Sequence, residues 1–356
     1  MRGKLTLKAN DYRKRLDRGE GKDLPFERVV ECNIGNPQAL GQKPITFVRQ
    51  VLALMDYPEL LADGKDLKGL FAGDAVERAK MLLTKIPGGT GAYSESQGAL
   101  YVREAVARFI EQRDGYKCDP ADLYLTDGAS EAVKLALQVC IRDETDCILL
   151  PIPQYPLYSG SINLYDGSFE GYYLDEDGGS WALSQAELRA SISKARLRGK
   201  CPRALVVINP GNPTGNTLSE ANMREIAQVC REERLVLFAD EVYQSNLYMA
   251  GKPFVSFRKV VCDLGYSKED FELFSLHSIS KGFFGECGRR GGYVECYGIS
   301  DEAKGAIYKM IALGLCANVA GQVATSPGHV HVHAHVQTPP GRWPLHLDSQ
   351  LGYNLA

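Results

Sequence analysis

Two hydrophobic rhythms alternate along most of this chain. Apolar residues recurring at three- and four-residue spacing predict helices over 97–114, 128–142, 184–198, 219–234 and 301–320. Between them lie short, β-branched apolar runs at 147–150, 204–209, 235–239, 271–276 and 292–296. Such runs carry no polar alternation, so both faces of each strand must be covered. That places them in a sheet with helices on either side. The predicted fold class is therefore α/β, a three-layer large domain around a mostly parallel sheet, spanning 73–324.

The two ends read differently. Residues 33–44 are extended and punctuated by Gly and Pro, and a helical stretch follows over 45–55. Residues 1–72 are expected to form an N-terminal arm and part of a second, smaller domain. From Thr325 the helical pattern stops, and five of the chain's six histidines crowd into 325–356. That tail is expected to be disordered. Its His329-x-His331-x-His333-x-His335 run permits a metal reading, but a stretch of unselected sequence explains it better, so no metal is assigned.

Composition narrows the function classes. The chain has 356 residues, 44% of them hydrophobic and 24% charged, as in an ordinary soluble protein. A net charge of -3 gives no electrostatic reason to expect a nucleic-acid partner. No apolar stretch approaches the ~20 residues that span a bilayer. The ten cysteines are scattered singly with no C-x-x-C pair, which fits reduced thiols in the cytoplasm. Asp11, Asp17 and Glu20 argue against a transit peptide, although mitochondrial targeting stays open.

Five motifs carry candidate chemistry. Ser278-Ile279-Ser280-Lys281-Gly282 directly follows a buried run. A lysine there can sit with little water, and desolvation favours the neutral amine that a Schiff base requires. Gly288-Arg289-Arg290-Gly291-Gly292 pairs a guanidinium fork with glycines that let an anion approach. Phe238-Ala239-Asp240-Glu241-Val242-Tyr243 delivers an aspartate at a strand end, where open α/β sheets bind ligands. Asn209-Pro210-Gly211-Asn212-Pro213 forms a rigid turn at another strand end. Thr126-Asp127-Gly128-Ala129-Ser130 opens a helix whose free N–H groups suit a phosphate. Each has a bland alternative: a surface lysine, a solvated arginine pair, a cap or a plain turn.

Taken in this order the set resembles the fold-type-I pyridoxal-phosphate aminotransferases, and alanine aminotransferases in particular. The resemblance extends through 33–51, Gly91-Ala92-Tyr93-Ser94-Glu95-Ser96-Gln97-Gly98, Pro151-Ile152-Pro153-Gln154-Tyr155-Pro156-Leu157-Tyr158 and Gly285-Glu286-Cys287-Gly288. It implies pyridoxal 5'-phosphate as cofactor, with Lys281 as its covalent anchor and proton carrier. Asp240 would pair with the pyridine nitrogen, and Tyr243 and Asn212 would hydrogen-bond the phenolic oxygen. Tyr155 would stack on the ring. Arg290, Ser278 and the Gly128-Ala129-Ser130 helix start would hold the phosphate, with Ser280 a weaker candidate. Tyr93 would reach the phosphate of a neighbouring subunit, so a homodimer is implied.

The implied reaction exchanges amino and keto groups between L-alanine and 2-oxoglutarate. Members of the family continue far past Thr325 and carry there an arginine for the substrate carboxylate. No residue here matches it, Arg342 included, so the small domain is expected to be incomplete and activity impaired. Two other expectations follow: a non-catalytic fragment that binds cofactor or dimerises, and an aminotransferase with a different amino donor.

Overall fold

A computed structural model describes residues 4–30, 35–63, 65–176, 181–248 and 253–330. Among these residues seven strands form one sheet: β1 (Leu123–Thr126), β2 (Asp146–Ile152), β3 (Ser168–Tyr173), β4 (Cys201–Ile208), β5 (Val236–Asp240), β6 (Leu273–Ser278) and β7 (Gly292–Tyr297). Their order is β1-β7-β6-β5-β4-β2-β3. Strands β3, β2, β4, β5 and β6 pair in parallel, while β7 runs antiparallel to both β6 and β1. The mostly parallel sheet predicted from the apolar runs is present, with β7 reversed within it.

Eleven helices accompany the sheet among the described residues. In chain order they are α1 (Lys4–Asp17), α2 (Thr46–Asp56), α3 (Gly73–Lys85), α4 (Leu100–Asp114), α5 (Ala129–Cys140) and α6 (Leu157–Leu164). They continue with α7 (Gln185–Leu197), α8 (Glu220–Glu233), α9 (Phe257–Asp263), α10 (Asp301–Leu313) and α11 (Val319–Val330). Alternation along each strand divides the core. Leu205, Leu237 and Leu273 point to one face and pack with Leu188 of α7, Ile226 of α8 and Val260 of α9. Val206, Phe238 and Phe274 point to the other, among Val133 of α5, Ile162 of α6 and Ile307 of α10. Burying such a side chain contributes roughly 1.5–3 kcal/mol, which explains why these strands are apolar throughout.

A third cluster joins α2 to the rest. Val51, Leu52 and Met55 pack with Ala79 and Leu82 of α3, Val106 and Ile110 of α4, and Val323 of α11. Packing thus runs across the boundary expected at residue 72.

Helix starts follow their caps. Ser184, Ser219, Ser256 and Ser300 each accept a hydrogen bond from the N–H three residues on, as N-cap hydroxyls do. The helix predicted over 301–320 is two helices. It breaks after Leu313, where Leu315 takes a left-handed φ of 70° that no helix accommodates. The second piece, α11, carries on to Val330, with Thr325 and Ser326 buried. Arg78 donates to the Ser326 hydroxyl at 2.7 Å. The tail expected from Thr325 therefore starts inside a helix, and residues 331–356 lie outside the described residues.

One buried ion pair matters for stability. Arg258, at 1% exposure, donates to Glu295 at 2.7 Å and to the carbonyl of Lys117 at 2.6 Å. It ties α9 to β7.

Candidate active site at the strand ends

The candidate residues converge where β5 and β6 end and α5 begins. Asp240 is the last residue of β5, level with Ile208 and Leu276 on its neighbours. It is buried, and one carboxylate oxygen accepts from the Tyr158 hydroxyl at 2.7 Å. The other, Oδ1, is buried with no partner among the described residues. Burial pushes the Asp240 pKa up, opposed by the Tyr158 hydroxyl and the nearby Val242 N–H. A buried carboxylate oxygen left without a donor is costly, so this one is poised for a donor from a ligand.

The next carboxylate does other work. Glu241 is fully buried and accepts from the Phe257 N–H at 2.7 Å, at the start of α9. Burial pushes its pKa up to about 8, with the Arg113 charge pulling the other way.

Lys281 lies three residues past the end of β6. Its ammonium donates to the Gly35 carbonyl. The side chain is half-buried, more open than the water-poor setting its sequence context suggests. Ser278 is buried, and its hydroxyl accepts from the Ser280 N–H at 3.3 Å. The N-terminal segment clasps the loop that follows Lys281. Gln42 donates to the Phe283 carbonyl at 3.0 Å, and Arg49 grips Glu286 through two bonds of 2.9 and 3.0 Å.

An anion cradle faces this lysine loop. Arg290 donates to the Asp127 carbonyl at 2.8 Å and the Cys287 carbonyl at 2.9 Å, with Ser280 Oγ at 3.4 Å. Its own backbone is left-handed, φ 53° and ψ 48°, a conformation that costs a non-glycine residue roughly 1–2 kcal/mol. Gly128 caps α5 with φ 79° and no side-chain acceptor, leaving the first N–H groups, at Ala129 and Ser130, open to a ligand. A Cβ on Gly128 would stand 2.5 Å from the Arg290 guanidinium. Glycine is the residue that lets the fork and the helix start meet.

Asn212 donates to the Tyr243 hydroxyl at 3.4 Å. Burial, reinforced by the Asp240 charge, pushes that hydroxyl up to about 12. Burial also raises Tyr155, which feels Asp240 and Arg290 with opposite sign. Tyr93 stands apart, 77% exposed. Sequence reasoning gave no role to Tyr158, Arg49, Glu286 or Asn318. Tyr158, Arg49 and Glu286 lay within stretches that carry the resemblance, whereas Asn318 lay in none.

Residues 67–327 match the family model for aminotransferase class I and II. The chain belongs to that family. It is 51% identical over 327 residues to a probable mitochondrial alanine aminotransferase of Dictyostelium discoideum, covering 91% of this chain and 61% of that protein. Glutamate–glyoxylate aminotransferase 1 of Arabidopsis thaliana is 49% identical, covering 91% and 65%. An aminotransferase structure from Escherichia coli superposes with a TM-score of 0.70 at 25% identity, covering 92% of this chain and 68% of that one. The chain spans 55 to 67% of the length of four curated alanine aminotransferases it resembles.

Aminotransferases of this fold use pyridoxal 5'-phosphate, and the residues present fit it. Asp240 Oδ1 lacks the donor that a protonated ring nitrogen supplies. The Gly128–Arg290 cradle has the donors that a phosphate needs, with the guanidinium drawn close against the glycine that starts α5. Among the described residues no cluster of His, Cys, Asp and Glu could hold a metal, and no helix is long and apolar enough to cross a membrane.

Proposed function

We propose that this chain carries the cofactor site of an alanine aminotransferase, which converts L-alanine and 2-oxoglutarate to pyruvate and L-glutamate. The observation that carries the reading is the unpartnered Oδ1 of Asp240, set in the same strand-end region as Lys281 and the Arg290 cradle. The cofactor supplies an electron sink for the carbon that loses its proton. The chain's residues do the rest. Asp240 keeps the ring nitrogen protonated, Tyr243 and Asn212 donate to the phenolic oxygen, and Tyr155 covers the ring face. Arg290, Ser278 and the N–H groups of Ala129 and Ser130, opened by Gly128, hold the phosphate. Lys281 anchors the cofactor and carries the proton.

Residues 73–324 form the cofactor-binding domain in this reading, with 1–72 contributing the clasp over Lys281. The assembly is a homodimer to which the exposed Tyr93 contributes across the interface. The nine described cysteines are free, in keeping with a reducing compartment, the cytoplasm or the mitochondrial matrix.

The test is a half-reaction. L-alanine is added to the purified chain loaded with pyridoxal 5'-phosphate, without a keto acid, and the cofactor absorbance is followed. The reading expects conversion, and borohydride reduction before alanine should label Lys281 alone. A chain that takes up no chromophore would overturn the cofactor assignment. A second amino donor is favoured by the near-equal identity to glutamate–glyoxylate aminotransferase 1. A panel of donors separates the two: preference for glutamate with glyoxylate over alanine with 2-oxoglutarate would replace the alanine assignment.

A further inference from the structure

Asn318 lies far from every cofactor motif in the sequence, yet its side chain reaches the phosphate cradle. It immediately precedes α11, and its Oδ1 accepts from the Gly321 N–H at 2.6 Å, the bond of an N-cap. That fixes which end of the amide faces the helix. The Nδ2 end faces outward and meets only acceptors: Asp127 Oδ1 at 2.7 Å, the Arg290 carbonyl at 3.2 Å and the Arg289 carbonyl at 3.3 Å. The Asn318 backbone N–H donates to the same Asp127 oxygen at 2.9 Å.

These bonds close a ring. The Arg290 guanidinium holds the Asp127 carbonyl, Asp127 holds Asn318, and Asn318 holds the Arg290 backbone. The left-handed Arg290 is thus restrained from behind at its own carbonyl. Gly321 completes the fit, because a Cβ there would come within 2.6 and 2.7 Å of the Arg289 and Arg290 carbonyls. Serine or aspartate would cap α11 as well as asparagine does, but neither supplies an amide that donates outward.

We infer that Asn318 is a positioning residue for the cofactor's phosphate, locking Arg290 and the start of α5 into one arrangement through the turns that carry them. The inference rests on the cofactor reading above and adds to it a residue that never touches the ligand.

The test compares pyridoxal 5'-phosphate with pyridoxal, which lacks the phosphate, as ligands of the full chain. Affinities are read by absorbance titration for the wild type, Asn318→Ser and Asn318→Asp. Both variants retain the cap; the melting temperature of Asn318→Ser should stay close to wild type, and that of Asn318→Asp should fall somewhat, because its outer carboxylate oxygen meets only acceptors. The preference for the phosphorylated ligand should fall about tenfold in Asn318→Ser, the order expected for losing a bond to a charged group. It should fall further in Asn318→Asp, whose carboxylate would face Asp127. Pyridoxal itself should bind all three alike. Gly321→Ala presses on the same turn from the helix side without altering charge, and should lower the preference too, whether or not the Asn318 variants fold. A wild-type preference left intact in the folded variants would overturn the inference alone. A wild type that shows no such preference would overturn the phosphate-cradle reading, and this inference with it.

Discussion

Replacing Tyr158 with phenylalanine isolates the electrostatics of Asp240 from its packing. The ring stays, so the fully buried site loses one oxygen and no apolar volume. What disappears is the 2.7 Å bond to Asp240 Oδ2. A hydrogen bond to an ionised group contributes about 1.5–3 kcal/mol, and burial leaves no water to replace it. The balance between the charged and neutral carboxyl should therefore move roughly ten- to hundredfold toward the neutral form at fixed pH. Burial already holds the Asp240 pKa above its ordinary 3.8.

The sign of the pH effect follows. The folded chain binds this proton more tightly than the unfolded one, so the carboxyl's contribution lowers cofactor-free stability as pH rises through the window above 3.8. In Tyr158→Phe that window extends upward. Cofactor binding moves with it, because a neutral Asp240 cannot hold a protonated ring nitrogen. Titrating the chain with pyridoxal 5'-phosphate at a series of values from about pH 5 to about pH 9 should show the acid limb displaced to higher pH. Superimposable wild-type and variant profiles would refute the role given to Asp240.

Arg49→Met should cost about 2–3 kcal/mol in urea denaturation, less than a fully buried pair because Arg49 is 39% exposed against 2% for Glu286. Adding Glu286→Gln should restore part of it by removing the stranded charge. Gly128→Ala should weaken cofactor binding at least about tenfold in the same absorbance titration, since its Cβ displaces the Arg290 fork and its φ of 79° disfavours any side chain. Arg258→Met should lower stability by about 3–5 kcal/mol, read as a fall in melting temperature, because Glu295 would remain as a buried carboxylate without a counter-charge.

The sheet was legible where strands are apolar on both faces, as at 204–209 and 235–239, and was missed elsewhere for physical reasons. Strand β3 carries Glu170, a buried carboxylate held by Lys194 and Arg198, so its run does not read as core. Strand β1 is only four residues long. The predicted helix starts at Ser184 and Ser219 fell on capping residues because the capping serine begins the pattern one position early. The candidate site was legible wherever chemistry sits in a short motif at a strand end. Partners far off along the chain were not. Tyr158 and Asp240 are 82 positions apart, Asn318 and Asp127 are 191 apart, and Arg49 and Glu286 are 237 apart. No local pattern announces such pairs; three-dimensional packing creates them.

The union of α2 with α11 has a consequence for synthesis. Val51 and Leu52 bury against Val323, so the early helix cannot complete its core until the ribosome has released the chain past that point. Loop closure over such a separation is entropically slow, and contacts of this kind set the pace of folding. The clasp of residues 35–49 over Lys281 must wait for β6 and the loop behind it. During translation the part of the α2 face that meets Val323 therefore stays uncovered long after α3 and α4 have emerged, a stretch in which a chaperone would find its substrate.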